Sequence, residues 1–415
     1  MIHSIYKKIF FRLLAGLHEG FLEVVCPRET LSFGSPSSKL KAMLVVNNER
    51  FFARVLLGGD IGMGEAFMDG DWSSPDLQSL LRLAVRNMDH LENGMRAAGA
   101  LHSLVERIRH YLRGNTLIGS RRNISRHYDL GNNFYRLFLD FSMAYSCACF
   151  HSPQDTLEHA QQNKYELICQ KLDLKPTDHL LEIGTGWGGF ALYAAEHYGC
   201  RVTTTTISRQ QFDYAQQLFA QRGLADDRVH LKLEDYRNLR GEFDKIVSIE
   251  MFEAVGYKYY DEYFAACDRL LKPEGSMLLQ TITIQEAKFE SYLKQSDWIR
   301  KYIFPGGELA SVAELLRALT RATRMQLFHM EDIGMHYALT LKEWRRRFLN
   351  NLNQVERLGF DKHFLRMWEY YLTCCEATFR ERQTGTVQLL LTKVQNLNPL
   401  MNEPVLETAG NEYPR

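Results

Sequence analysis

Cysteine is sparse and without pattern: eight are scattered over 415 residues, and no Cys-x-x-Cys pair exists. A structural zinc site is therefore not expected. Nor is there a disulfide framework, which suits a reducing cytosol. No stretch approaches the roughly 18 uninterrupted apolar residues of a membrane-spanning helix. No charge of one sign dominates, since Lys+Arg and Asp+Glu both number 50. A wholesale nucleic-acid binder would be basic, so nucleic acid is not expected as a partner. Internal repeats, metal-ligand spacings and a Ser/His/Asp arrangement are missing too.

What is present is the balance of a folded chain, 45% hydrophobic and 24% charged, which excludes a disordered or fibrous protein. The length implies two to three domains. Aromatics reach 12%, with 24 Phe and 20 Tyr, enough for a large core or a lipid cavity. Near the start, Ile5, Ile9, Phe10, Leu13 and Leu14 mix with Lys7, Lys8 and Arg12. Arg12 interrupts what would be the apolar core of a signal peptide, and no small-residue cleavage site follows. The segment reads as a short basic amphipathic helix, packed on its own domain or resting at a membrane interface.

Residues 1–95 form a first unit. Apolar runs at 42–46 and 55–57 predict strands. Gly58-Gly59-Asp60 and Asp69-Gly70-Asp71 are turn signals. Residues 77–83 predict a helix capped by Ser74. Residues 96–126 hold seven arginines, Arg121 and Arg122 among them, against Glu106 alone. This basic linker is either solvated or turned to anionic phosphates, a lipid surface above all. A second unit covers 127–394. Its strands at 179–183, 202–207, 229–233, 245–249 and 277–284 alternate with helices at 190–198, 211–219 and 259–271. The rhythm predicts an α/β fold with a parallel, doubly wound sheet. It breaks at about 285–320, a natural place for a lid over the carboxyl ends of the strands. An aromatic stripe there (Phe289, Tyr292, Trp298, Ile299, Tyr302, Ile303, Phe304) is either core or the wall of a tunnel. Strands return near 325–328 and 386–392, and a polar tail occupies 395–415.

The segment Glu182-Ile183-Gly184-Thr185-Gly186-Trp187-Gly188-Gly189 follows a strand and opens a helix. Its glycines allow a tight turn and close approach to a ligand. Two features favour S-adenosylmethionine over a dinucleotide. Glu182 precedes the glycines, as the acidic residue does in S-adenosylmethionine methyltransferases. The second strand ends in Thr204-Thr205-Thr206, without the acidic residue that a dinucleotide ribose usually receives. Asp235, after the third strand, is placed to accept a hydrogen bond from an adenine amine.

Further motifs carry a resemblance. Arg126-His127-Tyr128-Asp129-Leu130-Gly131-Asn132-Asn133-Phe134-Tyr135 is followed by Met143-Ala144-Tyr145-Ser146-Cys147-Ala148-Cys149-Phe150. Then come Thr206-Ile207-Ser208 with Gln211, Met251-Phe252-Glu253-Ala254-Val255-Gly256, Tyr302-Ile303-Phe304-Pro305-Gly306-Gly307, and Tyr370-Tyr371-Leu372 with Phe379-Arg380. Over about 121–394 the chain resembles the cyclopropane-fatty-acyl-phospholipid synthases and the related mycolic-acid cyclopropane synthases and methyltransferases. The first unit, through Gly64-Glu65-Ala66-Phe67-Met68-Asp69-Gly70, is similar to the N-terminal domain of the bacterial phospholipid enzymes.

The resemblance implies a class I S-adenosylmethionine-dependent methyltransferase domain, Rossmann-like, behind a smaller N-terminal α+β domain that engages lipid. The implied activity is methylene transfer from S-adenosylmethionine to a cis double bond of phospholipid acyl chains. The enzyme would be cytoplasmic and peripheral on the inner face of the membrane, with homodimerisation left open. The resemblance puts a bound bicarbonate, as proton acceptor, in a cage of Cys147, Glu253, Ile282 and Tyr337. It puts Ser146 and Tyr128 at the cofactor's amino-acid end, Gly184 and Gly186 along its pocket, and Thr206, Ser208 and Gln211 near the adenosine. Cys147 lines the anion and is not a nucleophile, because the reaction needs no covalent intermediate. Two positions depart from the family pattern. Gln280 stands where many members have a bicarbonate-binding His, and Ala254 where many have His after the Glu. Gln280 donates a hydrogen bond but takes up no proton. That change opens a branched product, methyl or methylene, as an alternative. A non-catalytic lipid-binding scaffold is the other. His336, beside Tyr337, is a candidate substitute base, with an ordinary structural histidine as the alternative.

Overall fold

The computed structural model describes residues 2–91, 130–224 and 228–397. The first unit runs α1 (Ile2–Leu14), β1 (Phe21–Cys26), β2 (Glu29–Gly34), β3 (Lys41–Val46), α2 (Arg50–Met68), β4 (Trp72–Ser73) and α3 (Leu77–Arg86). Its four strands lie in the order β2-β1-β3-β4. β1 and β3 are parallel and the outer pairs antiparallel. β1 and β3 bury alternate residues, so only one face of this sheet meets the core. The small N-terminal α+β domain is thus present.

Three local expectations are corrected. Residues 55–57 are helical, not extended, and belong to α2. Phe51, Phe52, Val55 and Leu56 are buried together, one face of a helix, and a three-residue apolar run cannot distinguish the two states. Gly59 does not end the helix but kinks it, with φ 57° and ψ −135°. Asp76, not Ser74, caps α3, accepting the Ser79 N–H at 3.0 Å. The Asp69-Gly70-Asp71 turn holds, with Gly70 at φ 78°. α1 packs on its own unit: Phe10 lies 5.3 Å from Phe51 and 5.4 Å from Phe52 between ring centroids. Its outward face is left to Ile5, Lys8, Ile9 and Arg12, all exposed.

The second unit begins with α4 (Asn132–Tyr135) and α5 (Leu157–Lys171). It then alternates: β5 (His179–Ile183), α6 (Gly189–Tyr198), β6 (Arg201–Thr206), α7 (Arg209–Gln221), β7 (Val229–Leu233), β8 (Phe243–Ile249), α8 (Tyr260–Leu270) and β9 (Leu271–Ile284). After the insertion of α9 (Phe289–Leu293) and α10 (Trp298–Tyr302) come α11 (Val312–Ala322), β10 (Gln326–Asp332), α12 (Gly334–Asn350), α13 (Leu352–Arg357), α14 (Lys362–Arg380) and β11 (Thr384–Thr392). The seven strands order as β10-β11-β9-β8-β5-β6-β7. β5 to β9 are parallel, and β11 is antiparallel to both its neighbours. Strand order reverses at β5/β8, so the ligand crevice opens at their carboxyl ends. α11 is not lid: Leu315, Ala318 and Leu319 are buried in one cluster with Phe264 and Cys267 of α8.

The first sheet shares one apolar core with α12 and α14 of the second unit, running from Phe10 of α1 to Phe379 of α14, while the strands of the seven-stranded sheet pack in clusters of their own. α14 and α10 tie the second unit to the first. Arg366 donates to the Trp72 carbonyl at 2.9 Å. Glu381 receives Arg82 at 2.5 Å and Arg86 at 2.7 Å. Glu65 receives Lys301 and Tyr302, both at 2.7 Å. Beside it, a Cβ on Gly64 would stand 2.4 Å from the Trp298 indole, so only glycine lets α10 come this close.

Candidate active site

The turn after β5 leaves Gly184 at φ 102° and Gly186 at φ 53°. Both glycines, with Thr185 and Trp187, line a cavity of about 1150 Å³. At Gly186 an added Cβ would meet nothing within 4 Å, so the turn faces open space, as a cradle for a ligand must. Glu182 is buried below the turn and accepts from Thr204. Burial pushes its carboxyl up to about 8. Opposite it, the buried Lys164 of α5 donates to Ser146 Oγ at 2.8 Å, and burial lowers its pKa. Glu182, Ser146 and Lys164 all border the cavity. This end thus offers a carboxylate for an ammonium and an ammonium for a carboxylate, which suits the amino-acid end of S-adenosylmethionine.

The other end of this cradle is lined by Thr206, Gln211 and Asp235. Thr206 donates to Gln211 Oε1 at 2.8 Å. Ser208 accepts the Gln211 N–H at 3.3 Å and caps α7; it does not line the cavity and serves the helix. Asp235 is gripped by Arg237 through both oxygens at 2.8 Å, so most of its accepting capacity is already used. Tyr128 and the basic segment 96–126 lie outside the described residues.

Past the glycine turn the cavity meets Glu250, Glu253, Ile282 and Tyr337. Glu250 follows β8 directly and is held in the left-handed region, φ 50°. The Cys147 N–H donates to its Oε1 at 2.8 Å, and so does Gln280 Nε2, also at 2.8 Å. Tyr337 donates to Oε2 at 2.7 Å. Glu253 Oε1 receives the Ile282 N–H at 2.5 Å and Thr281 Oγ1 at 3.0 Å, while Oε2 has no partner. Seclusion from bulk water raises both carboxyls, Glu253 to about 7 with the nearby Glu250 charge adding to it. The bicarbonate cage therefore does not fit its expected guest. Every donor assigned to it, from Cys147, Tyr337, Gln280 and Ile282, is spent on one of the protein's own carboxylates.

Cys147 and Gln280 sit behind this wall, both fully buried. Burial pushes the Cys147 thiol far up, which leaves only its backbone amide in the site. His336 is spent elsewhere: its Nδ1 accepts the Phe150 N–H at 3.2 Å. The lid stripe divides. Tyr292, Trp298, Ile299 and Phe304 line the cavity, while Phe289 and Ile303 are buried away from it. The cavity continues, walled by Phe10, Leu13, Val55, Leu56, Leu80 and Leu81, into the first unit.

Glu250 and Lys164 went unnoticed in the sequence. Each left a faint signal. Glu250 is an acid placed right after the fourth parallel strand, where crevice residues fall. Lys164 is a lysine on a helix face that also carries the buried Leu157, Ala160 and Ile168.

Comparison with known proteins agrees with this geometry. A family model described as mycolic acid cyclopropane synthetase matches residues 116–389. Cyclopropane-fatty-acyl-phospholipid synthase of Escherichia coli (strain K12) is 39% identical over 355 residues, 84% of this chain and 87% of that protein. Tuberculostearic acid methyltransferase UfaA1 of Mycobacterium tuberculosis is 35% identical over 378 residues, 87% of this chain and 85% of its own. The crystal structure of mycolic acid cyclopropane synthase CmaA1 complexed with SAH and CTAB superimposes with a TM-score of 0.61 at 33% identity. It covers 66% of this chain and 98% of that one. With a glycine-turn cradle on a seven-stranded sheet and a family match over most of the second unit, this chain belongs to the mycolic acid cyclopropane synthetase family of S-adenosylmethionine-dependent methyltransferases.

Proposed function

We propose that this enzyme transfers a methylene group from S-adenosylmethionine to the cis double bond of an unsaturated phospholipid acyl chain, forming a cyclopropane. One observation carries the reading. A single cavity runs from the glycine turn, past the two carboxylates, to an apolar end between α1, α2 and α3. A cofactor cradle thus opens onto a pocket suited to a hydrocarbon chain. Bound S-adenosylmethionine supplies an electrophilic methyl group. An alkene is a weak nucleophile, so the protein must hold it still and dry. Trp298, Ile299 and Phe304 border the cavity and exclude water there. Glu250, with three donors on its carboxylate, sets negative charge beside the cation that forms on the acyl chain. Bicarbonate, whose assigned donors are engaged by Glu250 and Glu253, takes no part.

The basic first helix supports a peripheral position on the inner membrane face. Its outward stripe pairs Ile5 and Ile9 with Lys8 and Arg12, as an interfacial helix does. No helix among the described residues is long and apolar enough to cross a membrane. The test is product structure: purified protein, S-adenosylmethionine and vesicles of monounsaturated phospholipid, with acyl chains read by mass spectrometry and proton NMR. One added CH₂ with cyclopropyl protons is expected. Olefinic protons on the same gain would move the function to chain branching, methylene or methyl, the alternative that keeps the double bond. No gain, with cofactor bound, would revive the scaffold reading.

A further inference from the structure

Glu250 is held as a catalytic group is held. A residue with a side chain rarely adopts its left-handed backbone, and such strain gathers at functional sites. A carboxylate offers about four acceptor positions. Cys147 N–H and Gln280 fill both on Oε1, and Tyr337 fills one on Oε2. One position on Oε2 remains, on a residue that borders the cavity. The donors are themselves fixed. Gln388 donates to Gln280 Oε1 at 2.9 Å, and Lys171 donates to Gln388 Oε1 at 2.6 Å. Gln280 therefore presents its amide N–H₂, not its oxygen, to Glu250. The unusual glutamine and the carboxylate explain each other.

We propose that Glu250 is the resident base of this enzyme, standing where an external anion would otherwise bind. The inference rests on the alkylation reading above. The alkene π pair forms a bond to the methyl carbon as the S–CH₃ bond breaks, and that bond's electron pair goes to sulfur. The second alkene carbon becomes cationic. A C–H bond of the new methyl group then breaks, and its pair closes the ring onto that carbon. The proton goes to Glu250 Oε2, giving a neutral carboxylic acid that returns the proton to solvent between turnovers.

Glu253 is the poorer acceptor. Two carboxylates sharing a site do not both ionise easily. Glu250 has three donors stabilising its charge, and the buried Lys164 ammonium attracts it. Glu253 has two donors on one oxygen and an orphaned second oxygen.

The test compares wild type with Glu250→Gln, which keeps the shape, and Glu250→Gly, which opens the cage and suits the backbone. Turnover is measured in bicarbonate-depleted and bicarbonate-supplemented buffer. Binding of ¹³C-bicarbonate is followed by NMR without S-adenosylmethionine. Wild type should be indifferent to bicarbonate and bind none. Glu250→Gln should lose about 10²–10⁴-fold in turnover, the usual share of a general base, without rescue. Glu250→Gly should lose as much, bind the labelled anion and recover at least about tenfold with it. Bicarbonate binding to wild type, a wild-type rate that falls on depletion, or full activity in Glu250→Gln would each overturn the proposal. Should Glu250→Gly not fold, the wild-type and glutamine arms decide. Should wild type yield no lipid product, the function reading fails, and the NMR arm still decides whether Glu250 fills the anion site.

Discussion

Replacing Gly64 by alanine tests the seam between the two units. In an exposed helix the change would stabilise by about 1 kcal/mol. Here the new Cβ would lie 2.4 Å from both Cδ1 and Nε1 of Trp298 and 2.9 Å from Cε2, where carbon contacts belong at about 3.5–4.0 Å. Trp298 has little room to yield. It is 2% exposed and stands edge-on to Tyr370 at 4.8 Å. If α2 and α10 part slightly, overpacking costs about 1–3 kcal/mol. If the indole is expelled, the lost burial of about 150–250 Å² costs about 4–6 kcal/mol at most. The net expectation is a loss of up to about 2 kcal/mol if the helices part and about 3–5 kcal/mol if the indole is expelled, which is a fall in melting temperature of up to about 2 °C or of about 3–6 °C. Tryptophan emission should shift to the red, and lipid turnover should fall while cofactor binding holds, since Trp298 walls only the far part of the cavity. Gly58→Ala is the control, because its Cβ meets nothing within 4 Å. A Gly64→Ala protein as stable as wild type, with unchanged fluorescence, would refute the close-contact argument.

Tyr337→Phe removes the one donor to Glu250 Oε2 and should lower turnover about tenfold to a hundredfold, the worth of a hydrogen bond to a charged group; an equal loss of cofactor affinity would count against that role. Glu182, at about 8, binds its proton more tightly when folded than unfolded. The stability this gives is full below about pH 4.5 and is lost as pH rises through 8. Thermal melts of the cofactor-free protein should show that loss, and Glu182→Gln should flatten it. Cys147→Ser should keep activity within a few-fold, because the site uses the amide and not the thiol; a hundredfold loss would restore a chemical role to the sulfur. Ile5→Glu together with Ile9→Glu should weaken sedimentation with anionic vesicles without lowering the melting temperature, and unaltered sedimentation would remove α1 from the membrane contact.

The alternation of strands and helices was readable from residue 179 onward because each β-αβ step buries a short apolar run and ends in a turn. Local ambiguity defeated the reading where the run was brief, as at Val55 to Leu57, where a glycine kinks a helix instead of ending it, as Gly59 does, and where a carboxylate further along caps the helix, as Asp76 does in place of Ser74. The cofactor cradle was legible because Glu182, Gly184 and Gly186 are contiguous. The anion site was not. Its meaning lies in Glu250 meeting Cys147, Gln280 and Tyr337, which are 103, 30 and 87 residues away. A motif reports which residues surround a place, and not which group fills it. Gln280 stood out as a departure, but its compensation sat on another strand.

α1 has two audiences. Phe10, Leu13 and Leu14 wall the apolar end of the cavity, while Ile5, Lys8, Ile9 and Arg12 look outward. A helix with its side chains is about 10 Å thick. Where that outer stripe rests among lipid headgroups, an acyl chain leaving the bilayer has about one helix diameter to travel before it is enclosed. The same thirteen residues would then serve as both doorstep and back wall, and a shift that seats the helix deeper in the leaflet would reshape the pocket behind it. Membrane composition would in this way tune which chains are admitted, with no separate regulatory site.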